Sequence, residues 1–160
     1  MSIRLRALAV GAATLILAGT LTGCSGIVPM DPAPDANDPA CADVIVRLPD
    51  TVADLERRTT NAQSTGAWGD PAGVLLYCGI EPTGPTTDDC VNVSGVDWVI
   101  NRDNAPLYKF EAYGRSPGLA VIVDSEKASG TETVVDLGAV AKLLPQTRQC
   151  TSLTDTLDFD

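Results

Sequence analysis

Where the first of the five cysteines falls decides what the other four can do. Leu21-Thr22-Gly23-Cys24 ends a stretch that opens with Arg4 and Arg6 and then runs from Ala7 to Ala18 without a charge. A cationic head, an apolar middle and a small-residue ending are the three parts of an export signal. A leucine-led, small-residue ending on cysteine is the form in which the thiol is acylated and the preceding residues are removed. An uncleaved membrane helix is the alternative, but the apolar run falls short of the ~20 residues a span requires, and Gly11 and Thr14 dilute it. The expectation is a lipoprotein signal over residues 1–23 and lipid on Cys24, with the protein on the extracytoplasmic face of the cell membrane. More than one acyl chain is needed for a stable hold.

Outside the cytoplasm, paired thiols oxidise. Cys41, Cys78, Cys90 and Cys150 form an even set, consistent with two disulfides in any of three connectivities. Spacing favours Cys78–Cys90, closing a loop after a strand, and Cys41–Cys150, tying the first helix to the end of the last. Chain entropy assigns these ~3 and ~4.7 kcal/mol before strain. A metal or redox centre is the competing use. No C-x-x-C occurs and the chain has no histidine, so structural bridges are preferred.

Removing residues 1–23 takes away two of the eleven Lys+Arg and none of the 21 Asp+Glu, so the net charge moves from −10 to −12. Such a domain is repelled by nucleic acid and by anionic head groups. Ser25 to Asp38, SGIVPMDPAPDAND, is rich in proline and aspartate and shows no apolar period. Residues 24–38 therefore read as a lipid-anchored, semi-rigid linker, reaching ~40 Å at most if extended. Residues 39–150 read as one domain, and residues 151–160 as an acidic, frayed tail.

Within the domain, Asp38-Pro39 is a helix start: an acceptor at the cap, then proline in the first turn. Cys41, Val44, Ile45 and Leu48 follow at helical spacing, with Val52 and Leu55 continuing the apolar face. Residues 59–66 read as a polar loop and Trp68-Gly69-Asp70-Pro71 as a turn. Residues 74–78 and 119–123 are apolar on both faces, as interior strands are, and residues 91–93 form a short strand. The clearest hairpin joins residues 96–102 to 107–115. Burying Trp98 and Ile100 with Tyr108, Phe110 and Ala112 sets Ile100 opposite Phe110 and Trp98 opposite Ala112. Asp97, Val99, Asn101, Lys109, Glu111 and Tyr113 then share the other, exposed face. Thr133 with Asp136 resembles a capping box ahead of the stripe Val134, Leu137, Val140, Ala141 and Leu144. The fold expected from these elements is α+β: an antiparallel sheet of about four strands, with the first and last helices packed on one face and two disulfides.

No histidine means no Ser-His-Asp or Cys-His catalysis and no histidine-held metal. What remains is carboxylate chemistry or oxygen-ligated calcium. Asp88-Asp89 with Glu81 lacks the spacing of a calcium loop, so no metal and no cofactor is expected. Asp97 and Glu111 are the one pair that could act as acid and base, although a surface ladder with Lys109 and Arg115 explains them better. No catalytic residue is assigned. Trp68 and Trp98 could stack on a sugar or peptide, although core packing is preferred, more strongly for Trp98; the candidate binding face is Trp68, Asp97, Glu111, Tyr113 and Arg115.

Three segments carry a resemblance: Trp68-Gly69-Asp70-Pro71 leading to Tyr77-Cys78-Gly79, then Val93-Ser94-Gly95-Val96-Asp97-Trp98, then Tyr113-Gly114-Arg115-Ser116-Pro117. In this order they are similar to an actinobacterial family of small exported proteins, the domain of unknown function thirty-five fifteen. The resemblance implies a cell-envelope setting and no particular reaction. Two functions stand as expectations. One is a non-catalytic envelope lipoprotein binding an envelope protein or cell-wall component. The other is a histidine-free, carboxylate-dependent hydrolase acting on the wall.

Overall fold

The structure, a computed structural model, describes residues 26–151. Asp38 caps the first helix, α1 (Pro39–Val46), by accepting from the Ala40 amide at 2.8 Å, with proline in the first turn. Eight strands follow: β1 (Thr51–Val52), β2 (Leu55–Arg58), β3 (Thr65–Trp68), β4 (Val74–Ile80), β5 (Asp89–Val93), β6 (Val96–Asn101), β7 (Leu107–Ala112) and β8 (Gly118–Asp124). The second helix, α2 (Gly130–Ala141), comes last. The strands form one antiparallel sheet in the order β1-β2-β3-β4-β8-β7-β6-β5. No described helix is long and apolar enough to cross a membrane.

The expected α+β fold of about four strands with two helices on one face is therefore corrected: the molecule is mostly one eight-stranded antiparallel sheet, with two short helices. The missed strands all lie between α1 and β4. The β1–β2 hairpin turns through Ala53 and Asp54, both at positive φ (47° and 61°), without the glycine or asparagine that marks such turns. A tertiary contact supports it: the Ala53 amide donates to the Asp136 carboxylate at 2.8 Å. That contact also reassigns the start of α2. Asp136 is engaged with β1–β2, and Ser129 is the cap instead, accepting from the Glu132 amide.

Register in the central hairpin follows the burial argument, with Ile100 opposite Phe110, Trp98 opposite Ala112 and Val99 opposite Glu111. The same alternation runs across the neighbouring strands. Val74, Leu76 and Cys78 of β4 face Val123, Val121 and Leu119 of β8, and all six are fully buried. Cys41 and Val44 of α1, and Val134, Leu137 and Val140 of α2, enter this one apolar cluster with Trp68 and Trp98.

Both disulfides differ from the pairing expected. The bridges are Cys41–Cys78 and Cys90–Cys150. Cys78 and Cys90 cannot meet because β8, β7 and β6 stand between their strands. Four strand spacings amount to roughly 19 Å, far beyond the ~7 Å limit for bridged Cα atoms. The segment between them is a crossover passing over the sheet, not a hairpin loop.

The proline-rich stretch read as a linker is also corrected. The Val28 amide donates to the Thr59 carbonyl at 2.9 Å and the Asp35 amide to the Gly79 carbonyl at 2.9 Å. Met30 and Ala36 are buried. Proline removes backbone donors and fixes φ, but it leaves carbonyls and side chains free to dock. These residues form a strap on the domain. The expected signal and Cys24, and the acidic tail beyond Thr151, lie outside the described residues.

Candidate functional site

One face of the β6–β7 hairpin is apolar and belongs to the core. The other carries the polar residues that the sequence singles out. The structure places Asp97 on β6 and Glu111 on β7, with Tyr113 and Arg115 in the turn that follows β7, but it buries them: they are 7%, 3%, 8% and 6% exposed. The expectation of an exposed binding face is corrected on this point. The cover comes from two segments distant in sequence, the β4–β5 crossover and the chain after α2.

The crossover is held by Glu111. Its Oε1 accepts from the Thr83 amide at 2.7 Å, and its Oε2 accepts from the Thr83 hydroxyl at 2.8 Å and from Lys109 Nζ at 2.9 Å. The C-terminal segment is held by Asp97, whose Oδ2 accepts from the Cys150 amide at 2.9 Å and Oδ1 from Asn92 Nδ2 at 2.7 Å. A carboxylate receiving backbone donors in a buried setting makes charge-assisted bonds, about twice as strong as neutral ones. Arg148 joins the two covers, donating to the Thr83 carbonyl at 3.2 Å.

Arg115 fixes the exit from α2 by donating through Nη1 to the Leu144 carbonyl at 2.9 Å. Burial holds its guanidinium below the ordinary value, and the negative charge of Asp97 works against that shift. Beside it, Gly114 (φ +70°) lies so close to the Arg148 backbone that any Cβ would collide, and its carbonyl accepts from the Thr147 amide at 2.6 Å. The Tyr113 amide donates to the Asp97 carbonyl, continuing the hairpin ladder.

Trp68, the remaining member of the expected face, is not at the surface either. It is fully buried, with Nε1 donating to the Pro49 carbonyl at 3.1 Å. It is a core residue on β3, remote from the β6–β7 ladder in strand order. Trp98 is likewise buried, its indole N–H without an acceptor among the described residues.

Two open clefts accompany this arrangement, at opposite ends of the sheet. The first, about 480 Å³, is lined by Asn92, Gly95, Asp97, Gln146, Gln149 and Thr151 beside the Cys90–Cys150 bridge. Its side chains are mainly amides and a hydroxyl, groups that both donate and accept. Asn92 is placed by the tight Ser94-Gly95 turn, both residues at positive φ, where the Gly95 amide bonds its Oδ1. Sequence reasoning missed Asn92, Gln146 and Gln149, because the cystine that gathers them joins residues 60 positions apart. Only the turn chemistry at Ser94-Gly95 was legible.

The second cleft, about 680 Å³, lies by Arg57, Arg58, Thr59, Thr60 and Ser64. Its cations are already engaged. Arg57 donates to the Leu48 carbonyl at 3.1 Å, and Arg58 to the carbonyls of Gly69 at 2.9 Å and Gly26 at 2.7 Å and to Asp70 at 2.9 Å. At the first cleft's end of the sheet, Asp89 of the acidic Asp88-Asp89 pair bonds Arg102. No group of three or more metal-ligating side chains occurs among the described residues.

Nothing among curated proteins and nothing among solved structures matches the chain. A family model does, over residues 6–155, spanning the crossover, the clasped ladder and both disulfides. The chain therefore belongs to the family described as "Protein of unknown function (DUF3515)".

Proposed function

We propose that this protein is a non-catalytic lipoprotein of the cell envelope, anchored through acylated Cys24 on the extracytoplasmic face of the membrane. It binds an envelope protein or cell-wall component at the amide-lined cleft beside Cys90–Cys150. One observation carries the non-catalytic half: every carboxylate oxygen of Asp97 and Glu111 accepts from a structural donor. An acid–base pair needs oxygens free to meet a substrate within hydrogen-bond reach. Freeing these two would strip the clasp from the crossover and the C-terminal segment. Two disulfides and the export-type N-terminus support the extracytoplasmic setting.

The binding half rests on the chemistry of the lining. Gln146, Gln149 and Thr151, beside an Asn92 held by Asp97 and Gly95, offer uncharged donors and acceptors on an otherwise strongly acidic chain. Such groups suit the hydroxyls of a glycan or the backbone of a peptide. The test is intact-mass analysis of protein extracted from membranes, coupled to in-cell crosslinking from positions around the cleft. Loss of residues 1–23, acyl mass on Cys24 and specific crosslinked partners are expected. An unmodified thiol, or no partner above background, would overturn the reading.

A further inference from the structure

The chain enters the domain at one end of the sheet and the amide-lined cleft lies at the other. This inference rests on the acylated Cys24 of the reading above. We infer that the anchor holds the domain flush on the lipid surface, with the β2–β3 end toward the bilayer and the Cys90–Cys150 cleft turned away from it.

The strap carries the argument. The Gly26 carbonyl is bonded by Arg58 at 2.7 Å, and the Val28 amide by the Thr59 carbonyl at 2.9 Å. The Met30 amide donates to Asn61 Oδ1 at 2.7 Å, and the Met30 side chain is buried. Further along, the Ala36 carbonyl accepts from the Ser64 hydroxyl at 2.5 Å. Gly79 (φ +94°) has no room for a Cβ, because the Asp35 and Ala36 backbone lies against it. A chain fixed at successive points is not a tether. The greatest covalent reach shrinks from the ~40 Å of an extended linker to the two residue steps from Cys24 through Ser25 to Gly26, about 7 Å.

That length of chain, and the place where it ends, select the membrane-facing surface. Ile27, 61% exposed, sits beside the anchor point and is the apolar side chain that would meet the interface first. The β2–β3 connection, Thr59 to Ser64, borders it. The cleft is carried by β5, six strand positions from β2, roughly 28 Å away measured along the sheet. The acidic chain gains nothing from anionic head groups, so closeness is enforced by covalent reach and not by surface attraction.

Neutron reflectometry of the natively processed protein, reconstituted in a supported phosphatidylcholine bilayer, reads the water layer between head groups and protein. The same preparation is examined by intact mass and by amide hydrogen exchange. A layer thinner than ~10 Å is expected from a reach of two residue steps, with bilayer-dependent protection at residues 59–63 and none at Asn92 or Gln149. Arg58→Ala combined with Val28→Pro removes the first two holds, and a Gly/Ser insertion after Ser25 serves if that variant does not fold; each should lengthen the free chain and widen the layer several-fold. Absence of acyl mass would overturn the anchor reading itself. Acyl mass with a wide layer, protection on the cleft side, or a thin layer unchanged in both variants would overturn this inference alone.

Discussion

The two disulfides have opposite surroundings, and the contrast explains how the molecule is put together. Cys41–Cys78 joins α1 to β4 with both residues fully buried in the core. Cys90–Cys150 joins the edge strand β5 to the chain after α2, with both residues partly exposed beside an open cleft. The first fastens a helix to the apolar face of the sheet, where the hydrophobic effect already holds the parts together. The second fastens a polar cover to the other face, where carboxylates and backbone donors do the holding. Chain entropy values the two bridges almost equally, at about 4 kcal/mol each. Any difference in their measured effects therefore reports on packing.

The largest expected effect follows from this. Replacing Cys41 and Cys78 together by alanine removes the bridge and leaves a cavity in the core, a combined loss of about 5 kcal/mol. The same change at Cys90 and Cys150 should lose about 3 kcal/mol, because Asp97, Arg148 and Gly114 still hold the segment. Denaturant unfolding checks both, and a reversed order would break the comparison. Stepwise reduction with alkylation sharpens it: label should enter Cys90 and Cys150 before Cys41 and Cys78.

Next in size is the clasp itself. Glu111→Ala strands the Thr83 amide and hydroxyl and the Lys109 ammonium, with an expected loss of about 2–3 kcal/mol. Unfolding midpoints would show it. A loss below ~0.5 kcal/mol, the level of ordinary surface changes, would mean the crossover is not held there.

How much of this was legible depends on how far apart in sequence the causes lie. The hairpin register came from Trp98, Ile100, Tyr108, Phe110 and Ala112, since a slip of one residue would break up their shared face. The α1 cap was equally local. The β1–β2 turn was not, because Ala53 and Asp54 carry no turn signature and rely on Asp136. Burial of Asp97 and Glu111 was further from view still. Alternation assigned them correctly to the face opposite the core, but nothing nearby announces that Thr83 and Cys150 arrive to cover that face. The disulfide pairing failed for the same reason: spacing along the chain ignores the three strands inserted between Cys78 and Cys90.

A smaller effect tests the reassigned helix start. Ser129→Ala should lose about 1 kcal/mol and Thr133→Ala's loss should come through the core, not the cap. Loss of the Glu132 amide's protection from exchange should accompany the Ser129 change only. The smallest effect concerns pH. Bonding to the Lys127 side chain and the Glu126 amide holds the Asp124 carboxyl below the usual carboxylate value. A depressed folded value stabilises above the unfolded value of about 3.9 and fades as pH falls through the folded one. Asp124→Asn should therefore narrow the stability difference between pH 7 and pH 3, as read by thermal unfolding at each pH.

Amide hydrogen exchange at Thr83 and Cys150 tests most directly whether the polar ladder is a structural clasp. Both amides donate to buried carboxylates, so their exchange should be slowed toward the global unfolding limit, with Glu111→Ala releasing Thr83 and Asp97→Ala releasing Cys150. Exchange at the rate of an open loop in the unaltered protein would contradict the account. It would return Asp97 and Glu111 to the surface and to the chemistry denied them here.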